Sequence, residues 1–330
     1  MWRHGALVAG FLSLVIGTNA DAQVSGLTGT LIVTNKGPST ATIIDAASGR
    51  ALATLPTGQG PHEVALSRDG RIAVVTDYGS RSGGSTLTVI DVPALKVVRT
   101  IALGEYQRPH GIVFLPGDSL VAVTSESSRN VVIVHVEAGV VRKAIATQHN
   151  GSHMVGVTGD GTRAYTGDMG SNTVSELNLL TGQYVRSWDV PTQPEAINVT
   201  ADGSEVWVGS NATGKVSVVN PVTGAISTAA EGFGWPYRVF FSPDQKTVLL
   251  PDLRREELRF LDRSSHKELA RLSFAGGGPQ GITMTPDGKF ILQSLSQQGR
   301  VAVIDAATRK VLGHIPAGDT PDGIAYSMRR

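Results

Sequence analysis

One short motif recurs along this chain at nearly fixed spacing. PHEV at Pro61 returns as PHGI at Pro109, SHMV at Ser152, PEAI at Pro194, PYRV at Pro236, PQGI at Pro279 and PDGI at Pro321. Successive copies begin 48, 43, 42, 42, 43 and 42 residues apart. Self-similarity at such a period means one supersecondary unit per copy, stable only when packed against its neighbours. The 330 residues are therefore expected to form one array rather than two average domains.

Each copy has the same internal grammar. An apolar run follows the motif, then a turn such as SRDG, TGDG, TADG, SPDQ or TPDG. A second run follows (RIAVVTD, EVWVGS), then a third ending in Asp or Asn (TLTVID, VSVVN), then a weaker fourth (KVVRTIAL). Four short strands joined by Gly- and Asp-rich turns make one propeller blade. The expected fold is all-β: a seven-bladed β-propeller with four antiparallel strands per blade. Thr30 to Asn35 reads as a second strand with no first strand before it, and Gly323 to Ser327 as a lone first strand. The C-terminal strand is thus expected to complete the N-terminal blade and leave no free central edge.

Residues 1–22 read as a signal peptide, with residues 23–330 forming the propeller domain. Arg3 supplies a positive start, Ala6 to Gly17 an apolar stretch, and Ala20-Asp21-Ala22 a cleavage site. That stretch is too short to cross a bilayer. The expected location is periplasmic or secreted, without membrane insertion. There is no cysteine, so thiolate catalysis and thiolate metal sites are excluded. A formal net charge of +1 gives no general support for nucleic-acid binding.

The sequence resembles the YVTN-repeat β-propellers, a family close to the bacterial lactonase-like seven-bladed propellers. The resemblance rests on IVTN at Ile32, VVTD at Val74, the P-x-G-I motifs at Pro109, Pro279 and Pro321, and PDG at Pro286. The middle copies depart from it, reading YTGD, VGSN and LPDL. The likeness implies the fold more than any activity; what it favours is hydrolysis.

Residues just after each anchor, in order His62, His110, His153, Glu195, Tyr237, Gln280 and Asp322, are expected to ring one mouth of the channel. The next position is Gly or Ala in four copies, which suggests crowding, so the polar ring residues are expected to point into an open, solvated mouth. Three imidazoles from consecutive blades, with Glu195 as a fourth ligand, suit a divalent transition metal: Zn, Fe, Mn, Ni or Cu. The plainer alternative has the histidines bonding backbone or ordered water. Gln280 and Asp322 would close the site through water.

Loops after the second strands add Asp77, Glu126, Asp168 and Asp252 on the same face. Asp77 and Asp168 would orient imidazoles or, as such residues commonly do, cap turns. Glu63 is a candidate general base or a solvated rim charge. Tyr237 and Arg238, beside Trp235, suit an organic anion, or form a plug. GSRSGG (Gly79 to Gly84) is expected to lengthen its loop into a flap. GGGPQG lacks the helix and Lys of a phosphate loop, so no nucleotide is expected, and no haem. Two functions follow: a metal-dependent hydrolase (lactonase- or esterase-like) or lyase acting on a small-molecule, lactone or saccharide substrate, or a non-catalytic metal-binding, ligand-binding or protein-partner propeller. A third reading is an inert structural ring.

Overall fold

The computed structural model describes residues 24–329; the expected signal peptide lies outside the described residues. They form seven four-stranded antiparallel sheets and no helix. Numbered from the N-terminus, blade 2 shows the pattern: Pro61–Leu66, Ile72–Gly79, Gly83–Asp91 and Lys96–Ala102 pair in chain order. The innermost strand lines the channel. The two middle strands are largely buried because a neighbouring blade covers each face, and they read as nearly continuous apolar runs. The outermost strand carries Lys96 and Arg99 at an exposed edge, where charge discourages further pairing.

The core is seven layers, one between each pair of adjacent blades. Most are built from Val, Ile, Leu and Ala; the layer between blades 5 and 6 holds Trp207 against Phe241. Blade 1 contains the closure. Pro321–Ser327 pairs with Thr30–Asn35, Thr30 lying opposite Ser327 and Ile32 opposite Ala325. The Tyr326 hydroxyl donates to Thr28 O at 2.8 Å, fastening the joint.

Each regular inner strand breaks register just after its anchor. Pro61 faces Asp77, but pairing resumes only at Val64 with Val75. The same slip follows Pro109, Ser152 and Pro279, while after Pro194 pairing resumes one residue sooner, at Ala196 with Gly209. Such a bulge frees two residues from the ladder and re-aims their side chains. A hydroxyl from the second strand replaces the lost partner: Glu63 N donates to Thr76 Oγ1 (3.0 Å) and Gly111 N to Thr124 Oγ1 (2.8 Å). The residue before the anchor has positive φ in six copies, including Arg108, Gln193 and Thr320, which turns the chain into the channel. Blade 6 departs furthest: Pro236 makes an isolated bridge to Asp252, and the strand itself is only Phe240–Phe241.

The crowding expected behind the ring is present. A Cβ on Gly323 would meet His62 O at 2.3 Å, and one on Gly281 would meet Asp322 O at 2.1 Å. The expected flap is different. Gly79 and Gly83 pair, so the insertion extends a hairpin. Arg108 of the next blade donates to Ser80 O at 3.2 Å and lays its guanidinium over Tyr78.

Candidate functional site at the channel mouth

The bulges turn the seven ring residues toward one another, and the result is a plug rather than an open mouth. His110 is 2% exposed, Gln280 8% and Asp322 0%. Glu195 and Tyr237 are also buried, whereas His62 and His153 keep some exposure. The expectation of a solvated ring is therefore corrected. Five of the seven polar side chains find hydrogen-bond partners, mostly outside the ring, which offsets the cost of their burial.

The histidine half is a continuous stack. The His62 and His110 ring centroids lie 4.9 Å apart, His110 and His153 3.7 Å apart, and Tyr78 lies 4.5 Å from His62. His62 Nδ1 lies 2.8 Å from Gly60 O and His153 Nδ1 lies 2.8 Å from Glu126 Oε2. Both contacts require an Nδ1–H donor, which leaves Nε2 of a neutral ring with a free lone pair. The Tyr78 hydroxyl donates to the same Glu126 oxygen at 3.1 Å. His110 Nδ1 is buried with no partner. Burial lowers the His62 pKa to about 4 and holds His110 well below its ordinary value.

The other half is ionic. Lys36 Nζ lies 2.8 Å from Asp322 Oδ2 and donates to the Tyr237 hydroxyl at 3.3 Å; that hydroxyl also donates to Asp322 Oδ1 at 3.3 Å. Burial raises the Asp322 pKa, but Lys36 and Arg238 outweigh it and hold the carboxyl below its usual range. Arg238 pairs with Glu63 and approaches Asp322 at 3.8 Å and Glu195 at 4.0 Å. Burial nevertheless pushes the Glu63 carboxyl up. Glu195 Oε2 accepts from Trp235 Nε1 (3.0 Å) and from Asn211, while Oε1 lies 3.8 Å from His153 Nε2. Around the plug four carboxylates (Glu63, Glu126, Glu195 and Asp322) meet three cations, Lys36, Arg238 and, at the edge beside Tyr78 and Glu126, Arg108.

Several expected roles change. Asp77 accepts from Thr86, Thr88 and Gly58 N, and Asp168 from Ser152, Thr166, Thr173 and Ser175. Both brace their own blade and touch no imidazole. Asp252 accepts from the backbone N–H groups of Gly234 and Trp235 and likewise shapes a turn. The carboxylate that does orient an imidazole is Glu126. Glu63 is neither a rim charge nor a free base, being paired with Arg238 behind the ring. Gln280 Oε1 is buried without a partner.

Lys36 and Asn211 were not anticipated, although a signal exists. Lys36, Glu126, Met169, Asn211, Leu253 and Ser296 each stand one residue past their second strand, Tyr78 holds the same place inside the lengthened strand of blade 2, and all seven recur with the anchors' own spacing. Four of these seven reach the ring. Comparing loops blade by blade, rather than searching them for Asp, would have found them.

Comparisons with solved structures show the fold. Kuenenia stuttgartiensis hydrazine synthase superposes with a TM-score of 0.74 at 19% identity, covering 90% of this chain and 99% of that one. A functionally unknown protein from Desulfotomaculum acetoxidans gives 0.76 at 14%, covering 92% and 100%. A Bacteroides fragilis protein provisionally named a 6-phosphogluconolactonase gives 0.71 at 14%, covering 93% and 99%. The chain is a seven-bladed β-propeller. No protein-family model matches it, and no curated protein matches it in sequence.

Proposed function

We propose that this chain is an exported YVTN-type propeller whose mouth holds a divalent transition metal among His62, His110 and His153, with Glu195 beside them. Its proposed activity is hydrolysis of a lactone or ester. The observation that carries the metal is the way two imidazoles are held. A backbone carbonyl and a carboxylate each take an Nδ1–H, the arrangement that presents Nε2 to an ion. The unpartnered His110 Nδ1 and the excess of carboxylates over cations support the same reading. One adjustment is needed. Among the described residues no three His, Asp or Glu side chains surround a single point. The 3.7 Å stack of His110 on His153 is tighter than the ~5 Å expected of two rings sharing a tetrahedral ion, so His110 must leave the stack.

When bound, such an ion polarises a carbonyl and acidifies water. The chain's own part is distinct. Glu126 fixes the His153 tautomer, Tyr78 steadies Glu126, and Lys36 offers a positive edge to the substrate's oxygen atoms. Arg238 and Glu63 sit behind the ring and Tyr237 is bonded within it to Lys36 and Asp322, so their contribution is to position the other ring residues. Lactones are the first substrates to try because one structural neighbour carries a lactonase name.

A second reading needs no metal. The Glu126–His153 pair is by itself an oriented base, with Nε2 free to take a proton from water.

Metal analysis of protein purified without chelator, on wild type and on His110→Ala, separates the two. Stoichiometric metal that is lost in the variant, together with chelator-sensitive lactone hydrolysis, supports the first reading. Hydrolysis without metal that falls at least 100-fold in Glu126→Gln supports the second. Metal without turnover across lactones, esters and uronate polymers would make the protein a carrier. Absence of both metal and turnover overturns both catalytic readings.

A further inference from the structure

Behind the plug the channel continues as a cavity of about 340 Å³. None of the seven ring residues lines it, whereas Leu66 and Tyr326, near the far ends of their inner strands, do. It is thus separate from the mouth and approached from the opposite face.

Its wall follows the repeat. The third residue after each anchor is Val or Ile in all seven copies, from Val64 and Ile112 round to Ile282 and Ile324, and all seven line the cavity. Glu63 and Arg238 reach the same space from the plug side, and Asn198 and Thr283 add two further polar groups. Arg238 spends its terminal nitrogens on Tyr237 O and Glu63, while its buried Nε–H has no acceptor. An apolar wall with a few convergent polar groups is the composition of a small-molecule pocket, and this volume lies at the lower end of the usual range.

We propose that this cavity is a second binding site, for a small uncharged molecule with an apolar body and one carbonyl-type acceptor. The absence of net charge follows from Glu63, which already neutralises Arg238 and would repel an anion. Nε is fully covered, so the acceptor would meet its unpartnered N–H only as the Arg238 side chain turns toward the cavity, a turn favoured because a donor left unmet in a buried place is costly. The seven aliphatic residues set the width and give no direction, so orientation comes from the polar end alone.

Met154 lines the cavity and serves as a reporter. Protein labelled at the methionine methyl carbons is titrated with acetophenone and, separately, with ethylbenzene, which has nearly the same shape and no acceptor. The expected result is a saturable shift of the Met154 methyl signal with acetophenone, at least fivefold weaker with ethylbenzene. Ala325→Phe, which fills the far part of the cavity, should abolish the shift, and Val239→Phe provides a second filling variant should the first fail to fold. His110→Ala should leave the titration unchanged, which separates this site from the mouth. A Met154 signal that does not move up to millimolar acetophenone overturns the proposal. So does a shift that survives in a folded filling variant, or one lost in His110→Ala.

Discussion

At the residue scale the buried pair Arg238–Glu63 is the most exposed to test, because removing one partner strands the other's charge away from water. Arg238→Met should destabilise the protein by about 3–5 kcal/mol, and adding Glu63→Gln should restore a large part of that loss. Urea midpoints for the two single variants and the double variant check this; additive losses would mean the two residues do not act as a pair. Asp77 makes a pH prediction. Burial pushes its carboxyl up to about 6, with the Thr86, Thr88 and Gly58 donors offsetting only part of that. The folded state then binds this proton more tightly than the unfolded chain, so stability falls as pH rises from about 4 to about 6. Asp77→Asn, neutral throughout, should remove that portion of the slope, and an unchanged profile from pH 4 to 7 would refute it. The residue types at the mouth were legible because each sits one step after a repeated anchor. Their burial was not, since whether a polar side chain meets water or six polar neighbours depends on how near the axis the copies come.

At the scale of the element, the informative feature is the left-handed residue before each anchor. Three copies use Gly there, while Arg108, Gln193 and Thr320 accept the strained region with φ of 54°, 59° and 55°. Thr320 is β-branched and bears the greatest steric cost of the three. Thr320→Gly is expected to stabilise by about 1 kcal/mol, as the relief of strain exceeds the added freedom of the unfolded chain. A lower melting temperature for this variant would show that its side chain is needed where it is. The Gly79–Gly84 insertion gives the complementary lesson. Its composition reads as loop, yet pairing of Gly79 with Gly83 and two contacts from Arg108 make it a braced hairpin. Composition speaks to local flexibility, whereas the brace comes from the next blade.

At the scale of the whole molecule, stability rests on closing a ring without a covalent bond. The strand Pro321–Ser327 supplies the inner edge of blade 1 and carries Asp322, the partner of Lys36. A chain ending at Asp319 should lose cooperative unfolding and expose apolar surface. Circular dichroism melts and dye binding would show this, and a sharp native-like melt would mean the ring closes without that strand. The proposed export has its own check: protein recovered from the periplasm should begin at Gln23, and an intact Met1 there would contradict it.

The sequence by itself determined the repeat and its period, the four-strand grammar, the place where the ring closes, and the polar identity of the residue after each anchor. These properties belong to single copies, and a single copy carries the information for them. Tertiary structure decided which side chains meet. Lys36 finds Asp322, Glu126 finds His153, and Arg238 finds Glu63 from the other side of the ring. Such contacts depend on the radius of the ring and on the angle at which each bulge presents its residue. Those two quantities arise only when all seven blades pack together, so no one stretch of sequence specifies them.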